Sequence, residues 1–233
     1  MVTTELVVLD MAGTTVADDG LVERAFTAAI AAAGVSGEDE RYAGMLDYVR
    51  ETMGQSKITV FRALLGDEDL AQRANAEFEG SYGRLVAAGE CKPIPGAEET
   101  IRGLREKGIR VALTTGFAPT TQRALLDALG WHDLADLALA PGDGVRGRPY
   151  PDLILAVALK LQVTDVRNIA VVGDTPTDVR TGLAAGAGIV AGVLTGAGNR
   201  GELEAAHATH VLDSVSALPA VLDSVELEGA TQS

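Results

Sequence analysis

The stretch ELVVLDMAGTTVADDG, residues 5 to 20, determines the fold prediction. Four apolar residues, Leu6 to Leu9, have the pattern of a buried strand and are followed by a single carboxylate, Asp10. Small residues and threonines come next, which indicates a turn after the strand. The sequence therefore predicts a buried strand that carries an acid at its C-terminal end.

Downstream of this stretch, short β-branched runs alternate with longer helical patterns. This alternation is typical of an α/β fold with a parallel sheet covered by helices. The predicted strands are Leu6–Leu9, Arg110–Thr114, Leu137–Ala140, Asn168–Val172, Ile189–Val193 and a weaker His210–Leu212. The predicted helices between them are Ala97–Lys107, Pro119–Leu129, Pro151–Leu161, Thr177–Ala185 and Ser216–Val221.

The interval from about Ala17 to Glu90 breaks the alternation. It contains four helical patterns and no convincing strand: Leu21–Ala33, Asp39–Met53, Lys57–Leu65 and Asp69–Ala88. We therefore expect a helical insert over the C-terminal edge of the sheet, where open α/β folds bind ligands. The predicted domains are a core of residues 1–16 and 93–233 and a helical cap of residues 17–92, with a disordered tail from about residue 227 to 233.

Composition excludes some functions. The formal net charge is −14, which opposes sequence-independent binding of nucleic acids. The sequence shows no signal-peptide pattern and no apolar run of the roughly 18 residues that a membrane span needs. A single cysteine, Cys91, allows no internal disulfide and fits a cytoplasmic protein.

Polar residues follow four of the predicted strands or their loops. They are Asp10, the run Thr114-Thr115-Gly116, Arg148, and the run from Gly173 to Asp178. The C-terminal ends of parallel strands lie at one edge of a sheet, so these residues are expected to converge. Turn formation or helix capping explains each one alone but explains the set poorly.

Phosphoryl transfer fits this set. Asp10 and Asp174 offer the hard oxygen ligands that Mg²⁺ prefers, and Asp10 can also attack phosphorus to form an aspartyl phosphate. Thr114 or Thr115 and the N–H groups after Asp10 can bind phosphoryl oxygens, while Arg148 offsets the charge of the transferring group. Asp178 lies one helical turn after Asp174, and either a metal-bound water or helix capping explains it.

Four motifs of this chain resemble, in the same order, those of the haloacid dehalogenase superfamily, in its phosphatase branch. They are DxxGT, the hydroxyl–Gly turn, the cation before proline and GDxxxD. The resemblance spans almost the whole chain and implies a Rossmann-like core with an alpha-helical cap. It also implies that the backbone carbonyl of Ala12 is a metal ligand beside Asp10, Asp174 and Asp178. The substrate-binding residues that we predict are Ala12, Gly13, Thr14, Met53, Gly54, Thr114, Gly116 and Phe117.

Ala12 distinguishes this chain from most phosphatases of the superfamily. They carry a second aspartate there as general acid, and losing such an acid typically costs about 10²–10⁴ in rate. The phosphonatase subgroup has alanine instead, and this chain resembles it at DMAGTTV, at MGQSKITVFRALLG and at DGVRGRPYP. The resemblance implies that Lys57 forms a Schiff base with an aldehyde and that Met53 lies near the reaction centre. The catalytic residues are then Asp10, Lys57, Arg148 and Thr115, acting on a small phosphonate such as phosphonoacetaldehyde.

Three positions depart from the phosphonatase pattern. Val60 replaces a histidine, Phe117 a tyrosine and Gly20 a cysteine. A phosphomonoesterase for a small phosphorylated metabolite is therefore the alternative function, and a non-catalytic metabolite-binding protein is a further rival. The resemblance also implies that a homodimer can form through the cap.

Overall fold

A computed structural model describes residues 3–142 and 144–231, with helix side chains described as far as residue 225. Its strands are β1 Leu6–Asp10, β2 Val16–Ala17, β3 Lys92–Pro93, β4 Arg110–Thr114, β5 Leu137–Leu139, β6 Ile169–Gly173, β7 Ile189–Val193 and β8 His210–Leu212. Six of them form a parallel sheet in the order β5-β4-β1-β6-β7-β8. All six predicted strands are confirmed.

Helices cover the sheet and also form a separate block. Their bounds are α1 Leu21–Ala32, α2 Tyr42–Glu51, α3 Lys57–Leu65, α4 Glu68–Ala87, α5 Ala97–Glu106, α6 Pro119–Leu129, α7 Asp152–Lys160, α8 Pro176–Ala184, α9 Arg200–Ala205 and α10 Leu218–Thr231. The first four fall between β1 and β4 and form the helical insert. The predicted fold class, a Rossmann-like parallel sheet with an inserted helical cap, is confirmed.

Strand β1 is buried on both faces, which explains its continuous apolar sequence. Val7 and Leu9 belong to the larger core cluster, which includes residues of α5, α6 and the cap. Leu6 and Val8 face the opposite side, in a smaller cluster with residues of α7. Because β1 lies between β4 and β6, its last residue, Asp10, is held near the middle of the sheet edge.

Two features escaped the sequence analysis. Strands β2 and β3 pair antiparallel at the root of the helical block, with Ala17 opposite Lys92. They are only two residues long, too short to show any periodicity. The proposed cap limits of residues 17 and 92 coincide with this pair, and the division into two domains stays a prediction. Helix α9 was also missed because it has only six residues.

The C-terminal tail prediction needs a correction. Helix α10 runs to Thr231, so the backbone of residues 227–231 is helical where an irregular tail was expected. Leucine and glutamate are good helix formers, which favours continuation of the helix through Leu227 and Glu228. Residues 232 and 233 lie outside the described part of the chain. Within the described residues, no helix combines the length and the apolar character that crossing a bilayer requires.

All four phenylalanines of the chain meet in one cluster, and it joins the helical block to the sheet domain. Phe26 of α1 stacks on Phe61 of α3 at 4.4 Å between ring centroids, and its edge meets Phe78 of α4 at 5.5 Å. Phe117, from the loop after β4, lies 6.1 Å from Phe78 and 4.5 Å from Tyr82 of the same helix. The cluster therefore anchors the helical block directly above the C-terminal edge of the sheet.

Phe26→Ala tests this packing away from the sheet edge. Phe26 is 1% exposed, so the truncation is expected to lower the free energy of unfolding by about 3–5 kcal/mol, through lost burial and the cavity left behind. Leu159→Ala, at a residue that is 80% exposed, serves as the control and should change stability by less than about 0.5 kcal/mol. Denaturant unfolding of both variants measures the difference, and equal losses would contradict the packing described.

Candidate active site

One cavity of about 230 Å³ opens at the C-terminal edge of the sheet, beneath the helical block. Asp10 at the end of β1, Thr115 just after β4 and Asp174 just after β6 line its floor. Open α/β sheets bind ligands at this edge because the loops that follow parallel strands converge there. The convergence expected from the sequence is therefore present.

The cavity gathers most of the predicted site residues from both parts of the chain. Those it brings together are Asp10, Ala12, Met53, Gly54, Lys57, Thr115, Gly116, Phe117, Arg148 and Asp174. Three of them, Met53, Gly54 and Lys57, come from the helical block. The volume suits a small ligand and not a long chain.

Three glycines allow the loop before α3 to lie against the sheet domain. A Cβ on Gly116 would lie 2.8 Å from the carbonyl oxygen of Gln55, and one on Gly147 would lie 2.7 Å from Cβ of Ser56. Gly54 has φ +83°, which disfavours other residues, and a Cβ there would lie 2.5 Å from Oγ1 of Thr175. The loop is therefore packed down over the cavity, and the described conformation is closed.

Arg148 is the buried cation on the cavity floor. Its guanidinium donates one hydrogen bond to Oδ1 of Asp10 and another to Oδ1 of Asp178. The side chain of Arg148 is 4% exposed and those of its partners are 7% and 4% exposed. Arginine suits this position because its planar fork can bind two carboxylates at once and stays charged when buried.

Asp178 caps helix α8, one of the two roles considered for it. Its Oδ2 accepts hydrogen bonds from the backbone N–H of Thr175, at 3.1 Å, and from the hydroxyl of the same residue, at 2.5 Å. The Thr175 hydroxyl in turn accepts from the N–H of Asp178, which completes a capping box. Because its other oxygen binds Arg148, both oxygens of Asp178 are engaged.

The loop after β7 was not predicted to belong to the site. It fixes the side chain of Asp174, which itself follows β6. The N–H of Ala197 donates to Oδ2 of Asp174 at 2.7 Å, and a Cβ on Gly196 would lie 2.0 Å from the same oxygen. Thr195 donates to the backbone carbonyl of Gly13 at 2.6 Å and lines the cavity. The rule that located the other residues, polar side chains after a strand, also applies to Thr195 after β7.

Gly13, Thr14 and Thr114 lie outside the lining of this cavity. The N–H of Gly13 donates to the carbonyl of Val16 at 2.7 Å, and that of Thr14 donates to Met11 at 3.2 Å. Thr114 lies behind the floor, in a small enclosed space next to Asp10 and Arg148. The substrate-binding role of these three residues stays a prediction.

Lys57, the first residue of α3, is only 6% exposed. Its Nζ lies 5.5 Å from the ring centroid of Phe117 and 5.8 Å from that of Phe78, where the ring faces can stabilise a cation. Burial lowers the pKa of the amine below its ordinary value of 10.5, while the charge of Asp18 opposes that shift. The neutral, nucleophilic form is therefore more abundant at neutral pH than in a solvated lysine.

The carboxylates on the floor form a cluster with excess negative charge. Ligand oxygens of Asp10, Asp174 and Asp178 lie within 4.8 Å of one another, with one buried arginine in contact with two of them. Burial raises the pKa of Asp10 to about 7 despite the opposing effect of Arg148. Burial and the neighbouring carboxylates also raise the pKa of Asp174. A divalent cation fits this cluster, because its charge would relieve the repulsion and its preferred ligands are carboxylate oxygens.

The sequence of this chain matches the family model described as haloacid dehalogenase-like hydrolase, over residues 4–186. The chain is a haloacid dehalogenase-like hydrolase. The match covers the helical block and the sheet as far as α8, so it includes every residue of the predicted site.

Individual members of this hydrolase family support the phosphonatase-like resemblance. Phosphonoacetaldehyde hydrolase of Bordetella pertussis is 28% identical over 219 residues, which cover 78% of this chain and 79% of the relative. The crystal structure of a phosphonoacetaldehyde hydrolase-like protein from Oleispira antarctica superposes with a TM-score of 0.80 at 28% identity, covering 95% of this chain and 92% of that one. A hydrolase from Pseudomonas syringae, at 23% identity and a TM-score of 0.82, shares the fold over 96% of this chain and 99% of its own.

Removing the buried cation of this hydrolase is expected to destabilise it strongly. Arg148→Met leaves Asp10 and Asp178 buried without a counter-charge, which should cost about 3–5 kcal/mol of unfolding free energy at neutral pH. Denaturant unfolding in the presence of a chelator measures this loss. The double variant Arg148→Met, Asp178→Asn removes one of the orphaned charges and should recover part of the stability. A single variant as stable as the parent would contradict the ion-pair account.

Proposed function

We propose that the protein is a phosphonatase-like hydrolase that cleaves the carbon–phosphorus bond of phosphonoacetaldehyde, giving acetaldehyde and phosphate. The observation that carries this proposal is the buried amine of Lys57 in the same closed cavity as Asp10 and Arg148. If the amine of Lys57 were solvated, the site would support only a general phosphoryl hydrolase. The similarity to the phosphonoacetaldehyde hydrolase of Bordetella pertussis supports the same reaction.

In the proposed reaction the two halves of the substrate contact different parts of the protein. The phosphonyl group lies next to Asp10 and Arg148, while the aldehyde lies next to the amine of Lys57. The neutral amine adds to the aldehyde carbon and water leaves, giving a protonated imine. An oxygen of Asp10 then attacks phosphorus, and the electron pair of the C–P bond moves into the imine to give an enamine.

Product release needs two further bond cleavages. Water hydrolyses the aspartyl phosphate on Asp10 and releases phosphate, while protonation and hydrolysis of the enamine free acetaldehyde and Lys57. Arg148 offsets the negative charge of the phosphoryl group during its transfer. Ala12 fits this chemistry, because a carbon leaving group that is stabilised by an imine needs no acid at that position.

Mg²⁺ is the proposed cofactor. Asp10, Asp174 and the backbone carbonyl of Ala12 would hold it, since both oxygens of Asp178 are engaged by Arg148 and Thr175. A bound Mg²⁺ supplies positive charge that neutralises phosphoryl oxygens. We propose that Asp178 acts on the site indirectly, through the position of Arg148.

The alternative is a phosphomonoesterase for a small phosphorylated metabolite. Val60, 2% exposed, stands where the phosphonatase pattern has a histidine, and Phe117 lacks the hydroxyl of the tyrosine that it replaces. Neither side chain can transfer a proton in aldehyde chemistry. This observation makes the substrate test the decisive one.

Lys57→Met separates the two functions. Loss of the imine should lower phosphate release from phosphonoacetaldehyde on the order of 10³-fold or more, because the leaving carbon then has nowhere to place its electrons. Hydrolysis of an aryl phosphate, which needs no imine, should change far less. The matched control is Lys160→Met, which removes an exposed lysine at the end of α7. Equal loss of both activities, or unchanged phosphonate cleavage, would contradict the imine route.

The pH dependence of imine formation follows from the burial of Lys57. Only the neutral amine attacks an aldehyde, so capture of the imine by borohydride should increase with pH and level off below 10.5. Between the lowered pKa of Lys57 and 10.5, the folded state binds fewer protons than the unfolded state. The contribution of Lys57 to the free energy of unfolding should therefore increase with pH over this range. Capture that still increases at pH 10.5 would indicate a solvated amine.

A further inference from the structure

Asp18 is a half-buried carboxyl on the lining of the active-site cavity that the proposed reaction has not used. It lies between β2 and α1, where the chain enters the helical block. Its Oδ1 accepts a hydrogen bond from the N–H of Val22 at 3.0 Å, and its backbone carbonyl accepts one from Leu21 at 2.7 Å. These bonds to the first turn of α1 hold the carboxyl in place.

Asp18 and Lys57 line the same cavity, together with Asp10 and Arg148. Among the negative groups near this amine, Asp18 exerts a stronger charge interaction than Asp10 or Glu79. Within the described residues, no carboxylate oxygen lies within 4.0 Å of the lysine nitrogen. A carbonyl carbon bonded to the amine within this cavity would share the cavity with the carboxyl of Asp18.

Asp18 accepts a hydrogen bond from Val22, whereas each of the other carboxyls near the amine is held by an ion pair or by two hydrogen bonds. Asp10 binds Arg148, and Oδ2 of Asp174 accepts from the N–H of Ala197. Glu79 accepts hydrogen bonds from Thr121 and from the N–H of Ala118. It lines a second cavity, which Lys57 also lines but which Asp10 and Arg148 do not line. Asp18 is therefore the carboxyl best placed to exchange a proton with a group attached to Lys57. Burial raises the pKa of Asp18, which favours its protonated form at higher pH than in water.

We propose that Asp18 is the catalytic acid for dehydration of the adduct between Lys57 and the aldehyde, an inference that rests on the proposed function. Addition of the neutral amine to the aldehyde gives a carbinolamine, whose hydroxyl is a poor leaving group. Asp18 donates its proton to that hydroxyl, the C–O bond breaks, and water departs. The nitrogen lone pair forms the C=N bond, which leaves an iminium cation opposite the Asp18 carboxylate. In the reverse direction, Asp18 recovers the proton when water hydrolyses the iminium of the product.

Asp18→Asn removes the acid and keeps an oxygen that can accept from Val22. The experiment incubates the full-length protein with phosphonoacetaldehyde or with acetaldehyde alone, adds borohydride, and follows labelling of Lys57 over time. We expect labelling of the variant to be slower by about 10²–10⁴-fold, the usual effect of losing a general acid. Asp69→Asn is the matched control. It removes an exposed charge from the first turn of α4, outside the cavity lining. Its labelling rate should equal that of the wild type.

A second variant separates the acid role from a structural one. Asp18→Ser keeps a side chain that can cap α1 but has no acid, and added formate should restore part of its labelling rate. Thermal unfolding and binding of beryllofluoride at Asp10 verify the fold of each variant. If folded Asp18→Asn labels at the wild-type rate, or formate has no effect on Asp18→Ser, the role of Asp18 is refuted and the proposed function stands. If wild-type Lys57 is never labelled, the proposed function fails and the inference fails with it.

Discussion

The site depends on a single buried guanidinium held between two carboxylates. Arg148 reaches the floor of the cavity from the loop before α7 and binds Asp10 at the end of β1 and Asp178 in the first turn of α8. These three residues come from distant parts of the sequence, and burying them together is favourable only when their charges are paired. The ion pairs thereby fix the relative positions of Asp10, Arg148 and the start of α8. Within the described residues no arginine forms an ion pair with Asp174, so added positive charge has most to offset at this position.

The second constraint is the seam between the helical block and the sheet domain. Phe78 and Phe117 come from opposite sides of this seam and stack on each other, and the amine of Lys57 lies near both rings. A buried amine is a better nucleophile at neutral pH because desolvation disfavours its charged form. The seam therefore closes the cavity and lowers the pKa of the Lys57 amine. The glycines at positions 54 and 116 make this close approach sterically feasible.

The sequence predicted the parallel strands and most helices well, because both follow strong hydrophobic periodicities. It also located Asp10, Thr115, Arg148 and Asp174, since residues that follow parallel strands converge at one edge. The contacts that tune the site were harder to predict. Asp18 was not singled out from the sequence, and only its place on the lining of the same cavity as Lys57 distinguishes it. Tertiary geometry, which no local pattern encodes, determines the two partners of Asp178. It also determines the hydrogen bonds of the Gly13 and Thr14 N–H groups.

Locating the covalent adduct that borohydride traps is the most direct test of the role of Lys57. The protein is incubated with phosphonoacetaldehyde, reduced, digested and analysed by peptide mass spectrometry. The account predicts one modified peptide, carrying a reduced two-carbon group on Lys57, and none when the aldehyde is omitted. Phosphate release without any adduct on Lys57, or an adduct on another lysine alone, would contradict the claim that this buried amine accepts the electrons of the broken C–P bond.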